Sequence, residues 1–370
     1  MKIVHCADLH LSSGLLSNFD KAGAKQRNAE LVATFLKMVE QAAEQEVSAV
    51  IIAGDLFDTK SVDAYTRNSV RDAITGHPSL DFYLLRGNHD TGSFLNTLSE
   101  PPANLHLFEK TWTSYEIPFA NGKKAVIYGI ELDRDNAATI YDSLDPDPDT
   151  FNIVTLHGQI GDYKSKYRAE SISLGNLKNR NIDYLALGHI HEFRTGELAP
   201  RGTYCYPGCL EGRGFDESGE HGYVLLEVDE DTFKTRLNFV PIAKRLIYRL
   251  EVDVTGCMTT PEIEKKLRDA IAGTDAEEKD YMRLELVGRL DASCEKNLTA
   301  LETDLKDGFF VFEIKDRTRI EVDYGVYRED ISLKGEFVRM LEQDASLSEE
   351  EKTKIIRCGL QALAGEVIEP

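Results

Sequence analysis

Apolar residues alternate between short runs and helical spacings over the first part of the chain. Lys2–Cys6, Ala49–Ala53 and Asp81–Leu85 are short apolar runs, and each predicts a buried strand followed by a polar or glycine-containing loop. Between the first two runs, Lys25–Gln45 repeats its apolar residues at the spacing of a helix, and Val62–Thr75 predicts a second helix. This order predicts an α/β fold whose strands bring their C-terminal loops to one edge of a sheet.

Strands dominate from Leu105 onward, and two packed sheets flanked by helices would accommodate them. We therefore predict a four-layer α/β/β/α sandwich. The further strands predicted in this part are Ala125–Ile130, Asn152–Thr155, Tyr184–Leu187, Thr203–Tyr206 and Tyr223–Val228.

The pattern changes near Pro241–Arg245, and a chain of 370 residues is too long for one ordinary domain. We expect a large domain over residues 1–243, a small β-α-β domain over 244–325, and C-terminal helices over 326–370. The elements predicted after the large domain are Arg245–Val254, Pro261–Ala272, Tyr281–Arg289, Phe309–Ile314, Gly335–Gln343 and Ser348–Ala364.

The net charge of −21 argues against simple electrostatic capture of nucleic acid. The six cysteines are scattered without a CxxC pair, and even the closest two, Cys205 and Cys209, are interpreted as packing thiols of a reducing cytoplasm. The longest apolar runs are too short to cross a membrane. We therefore expect a cytoplasmic protein.

Polar residues that can bind metal ions follow five of the predicted strands. They are Asp, Asn and His, and glycine stands beside most of them, where it allows the backbone to turn. The candidate ligands in these loops are Asp8, His10, Asp55, Asn88, His157, His189 and His191.

Imidazole, carboxylate and amide ligands without thiolate suit Mn, Fe or Zn. Seven candidates are too many for one ion, so a two-metal site is expected, with water activated to attack phosphorus. Asp55 follows Gly54 at a strand end and is the best candidate for a carboxylate shared by both ions.

The five motifs resemble those of the calcineurin-like metallophosphoesterase superfamily: Asp-x-His, Gly-Asp, Gly-Asn-His-Asp, a lone His, and Gly-His-x-His. The resemblance implies that one ion is held by Asp8, His10, Asp55 and His191, and the other by Asp55, Asn88, His157 and His189. It also implies that His89 faces the scissile phosphate as a catalytic group and that Asp90 orients it.

Within this superfamily, the segments around Asp8 and Asp55 are similar to those of SbcD-type nucleases, which repair double-strand breaks. Gly212–Tyr223 resembles a smaller bacterial branch, the YhaO-like DNA repair exonucleases. Asp58 stands where archaeal and eukaryal members tend to carry a histidine tied to exonuclease action, which leaves the balance of exonuclease and endonuclease activity open.

The resemblance implies a 3′→5′ exonuclease, with endonuclease activity as a second mode, that uses two divalent ions. Mn is expected first, with Fe, Zn or Mg as alternatives. The β-α-β unit would then cap DNA, and the C-terminal helices would dock an SbcC-like coiled-coil ATPase. A small-molecule phosphodiesterase or phosphatase with the same metal centre is the alternative.

DNA contact by so acidic a chain requires local positive charge. A homodimer or a basic surface on the ATPase would supply part of it. The candidate phosphate contacts in this chain are Arg86, Lys164, Lys166, Arg168 and Arg213.

Overall fold

The computed structural model describes residues 1–15, 19, 21–58, 62–90, 101–161, 171–291, 294–321 and 324–364. The chain divides into two compact units, Met1–Arg245 and Leu246–Pro370. The second unit contains the predicted small domain, except for its first two residues, and the predicted C-terminal helices. The finer three-part division stays a prediction.

The first sheet of unit one contains the three strands predicted nearest the N-terminus. The order of its six strands is β14-β13-β1-β2-β3-β4, in which β1 to β4 are parallel and β13 and β14 are antiparallel additions. The strands are β1 (Lys2–Cys6), β2 (Ala49–Ala53), β3 (Asp81–Leu85), β4 (Leu105–Leu107), β13 (Gly222–Val228) and β14 (Thr235–Pro241).

The second sheet has the order β11-β12-β10-β7-β6-β5 and is parallel except at its two edges. Its strands are β5 (Thr113–Pro118), β6 (Lys124–Gly129), β7 (Phe151–His157), β10 (Tyr184–Gly188), β11 (Arg194–Leu198) and β12 (Gly202–Tyr206). A separate short pair is formed by β8 (Gln159–Ile160) and β9 (Ser171–Ile172).

The side chains of alternate strand residues pack into three apolar layers. Ile51 on β2 and Ile153 on β7 belong to the core between the sheets. Val50 faces the other way and packs in a cluster with Phe35 of helix α1 (Lys21–Glu44), and helix α2 (Ala64–Gly76) covers the same face. The predicted α/β class with packed sheets is confirmed.

The helical layer on the outer face of the second sheet is smaller than the predicted four-layer sandwich implied. Within the described residues it consists of a 3₁₀ turn at Ile140–Ser143 and the one-turn helix α3 (Leu174–Leu177). Leu156 and Leu185 of the sheet pack in a cluster with this cover. Their burial explains why β7 and β10 are apolar on both faces.

Unit two contains the predicted β-α-β element as a parallel sheet of order β15-β16-β18. Its apolar face packs against helices α4 and α5, and Asn297 caps the second of these. The elements are β15 (Ile247–Asp253), α4 (Thr260–Ala272), β16 (Tyr281–Val287), β17 (Arg289–Asp291), α5 (Leu298–Leu305), β18 (Val311–Asp316) and β19 (Arg319–Glu321).

The end of unit two is helical, as predicted. Ser348 and Glu351 form the predicted capping box, in which the Ser348 amide donates to the Glu351 carboxylate at 2.8 Å. The helices are α6 (Tyr324–Arg328), α7 (Leu333–Glu342) and α8 (Glu349–Ala364). Within the described part of the chain, every helix is too short or too polar to span a bilayer.

Candidate metal centre

The loops after β1 and β2 are joined by backbone hydrogen bonds beyond the ends of the strands. The amide of Asp8 donates to Gly54 O at 3.0 Å, and the amide of His10 donates to Asp55 O at 2.9 Å. Asp8, His10 and Asp55 have φ angles of 53°, 46° and 52°, a region that residues with a Cβ rarely adopt. Such strain persists only where the surroundings enforce it, and here it affects three candidate ligands.

The motif glycines leave room for the ligands themselves. A Cβ on Gly54 would lie 2.1 Å from Nδ1 of His157, and one on Gly87 would lie 2.1 Å from Oδ1 of Asp55. A Cβ on Gly188 would meet Ala53 O at 1.9 Å. These glycines therefore allow the carboxyl ends of the two sheets to approach each other closely.

Asp8, His10 and His191 form the first cluster. Their ligand atoms lie within 4.8 Å of one another, and His10 Nε2 is 3.1 Å from His191 Nε2. Nδ1 of His10 is 3.0 Å from Asp58, and Nδ1 of His191 is 2.6 Å from Glu217. Because an ionised carboxylate only accepts, each Nδ1 carries the proton and the two Nε2 lone pairs face each other.

Asp55 and His157 are central to the second cluster, and Asp8 also borders it. His157 Nε2 lies 3.3 Å from Oδ2 of Asp55 and 3.0 Å from Oδ1 of Asn88. His157 Nδ1 donates to Ala53 O at 2.9 Å, so its Nε2 atom faces two acceptor oxygens and needs a proton or a cation there. The ring of His189 lies edge-on to His157, with the centroids 5.4 Å apart.

Acceptor atoms facing one another repel unless a cation or a proton lies between them. Burial alone would lower the pKa of His157, but the Asp55 hydrogen bond and the charges of Asp8 and Asp55 raise it to about 9. The second cluster thus attracts positive charge strongly, and the facing Nε2 atoms of the first cluster require it. Both donor sets fit divalent metal ions.

His89 lies beside these clusters, with 46% of its side chain exposed. Its Nδ1 atom is 2.9 Å from Oδ1 of Asp58, and the same oxygen is 3.0 Å from Nδ1 of His10. The hydroxyl of Ser13 donates to the other oxygen of Asp58 at 2.7 Å. Burial opposes ionisation of Asp58, but its contacts with His10 and Ser13 outweigh burial and lower its pKa to about 2.

Asp90, for which the family resemblance implied an orienting role at His89, contacts the backbone in the structure. Its carboxylate accepts from the amides of Gly87 at 3.0 Å, Phe57 at 2.9 Å and Leu56 at 3.2 Å. Burial raises the pKa of Asp90 to about 6 despite these bonds. Asp90 joins the loops after β2 and β3, and Asp58 is the carboxylate beside His89.

Residues 1–193 match the family model of calcineurin-like phosphoesterases, which covers more than half of the chain. The chain belongs to this family. Members of this family hydrolyse phosphoesters with two divalent ions, and the candidate ligands of this chain are gathered at one place.

Three relatives extend the comparison. YhaO of Bacillus subtilis, an uncharacterized metallophosphoesterase, is 28% identical over 237 residues, covering 62% of this chain and 57% of that protein. The DNA double-strand break repair protein Mre11 of Aeropyrum pernix is 25% identical over 304 residues, covering 76% and 71%. One subunit of the nuclease SbcCD from Escherichia coli is 28% identical over 267 residues, covering 61% and 64%. The chain thus spans less than two thirds of YhaO and of this SbcCD protein.

The predicted phosphate contacts have different surroundings. Arg86 forms a two-pronged ion pair with Glu131, in which Nη2 and Oε2 are 2.8 Å apart. Arg213 pairs with Glu217, and its Nη1 lies 3.9 Å from Asp58, so it lies at the edge of the metal centre. Lys164, Lys166 and Arg168 lie outside the described residues.

Sequence reasoning missed the roles of two carboxylates. In the sequence Asp58 stands out only as a departure from a family pattern, although its place in the same loop, three residues after Asp55, could have suggested a contact with the site. Glu217 lies in the segment that resembles the YhaO-like branch, and no local pattern connects it to His191. Cys205 and Cys209 are buried and unbonded to each other, in agreement with their interpretation as packing thiols.

Proposed function

We propose that this phosphoesterase is a nuclease that cleaves phosphodiester bonds at DNA ends, as a 3′→5′ exonuclease and also as an endonuclease. The observation that carries the proposal is the similarity to the DNA double-strand break repair protein Mre11, which covers 76% of the chain. The similarity to Mre11 therefore extends beyond the phosphoesterase match at residues 1–193. A shared catalytic domain alone would not produce a similarity of that extent.

Two divalent ions at this centre would stabilise the charge on the phosphate and lower the pKa of water. Asp8, His10 and His191 would hold one ion, and Asn88, His157 and His189 the other. Asp55 would serve both, since its Oδ2 lies 3.8 Å from His10 Nε2 and 3.3 Å from His157 Nε2. Mn²⁺ is the ion we propose, because these harder nitrogen and oxygen donors suit it.

His89 would act on the phosphate rather than on the ions. A carboxylate and an imidazole nitrogen approach to 2.9 Å only with a proton between them, so Asp58 holds the Nδ1 proton of His89. The Nε2 atom lies on the opposite side of the ring, where it can stabilise a phosphate oxygen or hand a proton to the leaving oxygen. His89→Ala should retain both ions by elemental analysis and lose most hydrolysis.

The charge of −21 means that DNA contact depends on local positive groups and on partners. Two bound divalent ions would add four positive charges at the point of cleavage. A homodimer or an ATPase of the SbcC type would supply further basic surface. Among the proposed phosphate contacts that the structure describes, Arg213 is the one at the edge of the candidate metal centre. It also forms an ion pair with Glu217.

The C-terminal helices support the proposal of a protein partner. Val326, Ile331, Leu333 and Met340 are exposed there, and Ile331 is 99% exposed. A docked protein partner would cover exposed apolar side chains of this kind. We propose that the coiled-coil ATPase docks on this part of the chain.

The test is an activity assay with Mn²⁺ that compares substrates in parallel. They are duplex and single-stranded DNA labelled at the 3′ or 5′ end, cyclic nucleotides, and p-nitrophenyl esters. We expect DNA to be degraded faster than the small esters, and the 3′ label to be released first. His89→Ala and protein treated with chelator serve as controls for contaminating nucleases.

A small-molecule phosphodiesterase or phosphatase is the competing function, and the acidic charge of the chain favours it. It predicts turnover of cyclic nucleotides or nucleotides at rates above those on DNA. Turnover confined to the small esters, with added ATPase partner making no difference, would overturn the nuclease proposal. The metal centre itself would be unaffected by that result.

A further inference from the structure

The loop between β12 and β13 brings a buried carboxylate to the metal centre. Oε1 of Glu217 lies 2.6 Å from Nδ1 of His191. We propose that Glu217 is a positioning residue, which holds His191 so that its Nε2 atom faces an ion at the first cluster. This inference rests on the metal-binding role proposed for His191.

The carboxylate of Glu217 is itself held in place by the loop. Its Oε2 atom accepts from the backbone amide of Arg213 at 2.7 Å, and its Oε1 atom accepts from the Arg213 guanidinium at 2.9 Å. The imidazole of His221 donates from Nε2 to the carbonyl of Glu217 at 2.9 Å, which leaves Nδ1 to face the thiol of Cys209 at 3.3 Å. Both ends of the loop are thus tied to the residue that contacts His191.

The start of the loop is anchored to helix α1. Glu211 accepts from Arg27 at 2.6 Å and from the hydroxyl of Thr34 at 2.6 Å, and Arg27 also donates to Gly212 O at 2.7 Å. The side chains of Arg27, Thr34 and Glu211 are all buried. Because buried ion pairs resist displacement, Glu217 is presented to His191 on a preorganised loop rather than on a mobile one.

Arg213 links this loop to the opposite side of the centre. Its Nη1 atom lies 3.9 Å from Asp58, the carboxylate shared by His10 and His89. Only 17% of the Arg213 side chain is exposed, so its positive charge is poorly screened by water. Glu217 therefore has two effects on the first cluster: it orients His191, and it balances a cation that would repel a metal ion.

Carboxylates that accept from a metal-ligating histidine fix its tautomer and raise its basicity, and their loss weakens metal affinity by about 10- to 100-fold. Glu217→Ala should therefore weaken one of the two Mn²⁺ sites by about that factor and leave the other within about threefold of wild type. Glu217→Gln should be milder, because its amide oxygen still accepts from Nδ1 of His191.

The experiment is a Mn²⁺ titration of metal-free wild type, Glu217→Ala and Glu217→Gln, by calorimetry and by the spectroscopic signal of free Mn²⁺. Glu220→Gln is the matched control, since it makes the same charge change at an exposed position of the same loop. The melting temperature of each metal-free variant is measured in parallel, because a merely structural role would lower it without selecting one ion.

Unchanged affinity for both ions in Glu217→Ala would overturn the proposal. The proposal would also be overturned if both sites weakened equally and the melting temperatures of Glu217→Ala and Glu217→Gln fell equally. The double variant Arg213→Ala, Glu217→Ala separates orientation from charge. Restored affinity in it would mean that Glu217 only neutralises Arg213, and would also overturn the positioning role. Wild-type protein that fails to bind two ions would refute the metal-site proposal instead, whatever Glu217 does.

Discussion

Asp58 lies 2.9 Å from Nδ1 of His89, through the same carboxylate oxygen that lies 3.0 Å from Nδ1 of His10. One oxygen therefore orients both a proposed metal ligand and the histidine proposed to face the phosphate. The rings of the two histidines are nearly perpendicular, with centroids 5.0 Å apart. The Nε2 atom of His10 is proposed to bind metal, and that of His89 to face the phosphate. The candidate metal centre and the proposed proton donor share this carboxylate.

Asp58→Asn should lower kcat by about 10- to 100-fold with little change in KM, because it removes the charge that holds the His89 proton. Steady-state kinetics on DNA and on p-nitrophenyl esters would measure both constants. An unchanged kcat with a raised KM would contradict the orienting role.

Asp90→Asn should act on stability instead. The side-chain amide would bring N–H donors towards three backbone amides that now donate to the Asp90 carboxylate, and each unmet buried donor costs about 1–3 kcal/mol. We expect a lower free energy of unfolding by urea denaturation. The kcat of the folded variant should match wild type, and a loss like that of Asp58→Asn would show that Asp90 acts on His89 after all.

Metal binding should release a proton even in mildly alkaline solution. A ligand needs its nitrogen lone pair, yet in the metal-free protein the effect of Asp55 outweighs that of burial and raises the pKa of His157 to about 9. Below pH 9, therefore, an ion must displace that proton, and affinity at this site should fall by about tenfold for each unit of decreasing pH.

Calorimetric titration of Mn²⁺ at pH 8 in buffers of different ionisation enthalpy measures this release directly. A histidine with an ordinary pKa near 6.5 would already be neutral at pH 8. Heats that do not depend on the buffer would thus contradict the proposed state of His157.

Gly188→Ala should destabilise the fold and disturb the second cluster. The new Cβ would lie 1.9 Å from Ala53 O and 2.8 Å from Nδ1 of His157, so β2 and β10 must separate. We expect a loss of about 1–3 kcal/mol in unfolding free energy, the range for overpacking, together with weaker Mn²⁺ binding. Gly76→Ala is the control, because nothing lies within 4 Å of its Cβ position and alanine favours helix α2. Equal stability of the two variants would contradict the close approach.

The buried strands could be predicted because their surroundings are uniform. Lys2–Cys6, Ala49–Ala53 and Asp81–Leu85 have the same bounds in the structure as in the prediction. The edge strands Arg194–Leu198 and Thr235–Pro241 were missed, since most of their residues are partly or fully exposed and polar and apolar side chains are mixed in them. Edge strands are recognised by the neighbours with which they pair, and pairing is not a local property of the sequence.

The sequence by itself determined which residues could bind metal. Asp, Asn and His placed directly after buried strands must come together, since the carboxyl ends of parallel strands share one edge of a sheet. These inferences hold without coordinates because they depend on chain neighbours and on strand direction.

Only the tertiary structure decided which carboxylates support those ligands. Asp90 is the chain neighbour of His89, yet its carboxylate is held by three backbone amides, and Asp58 from another loop takes its place. Glu217 reaches His191 across 26 residues of chain. Whether two groups form a hydrogen bond depends on their distance and direction in space. A carboxylate can accept only from the donors that the folded backbone brings within about 3 Å.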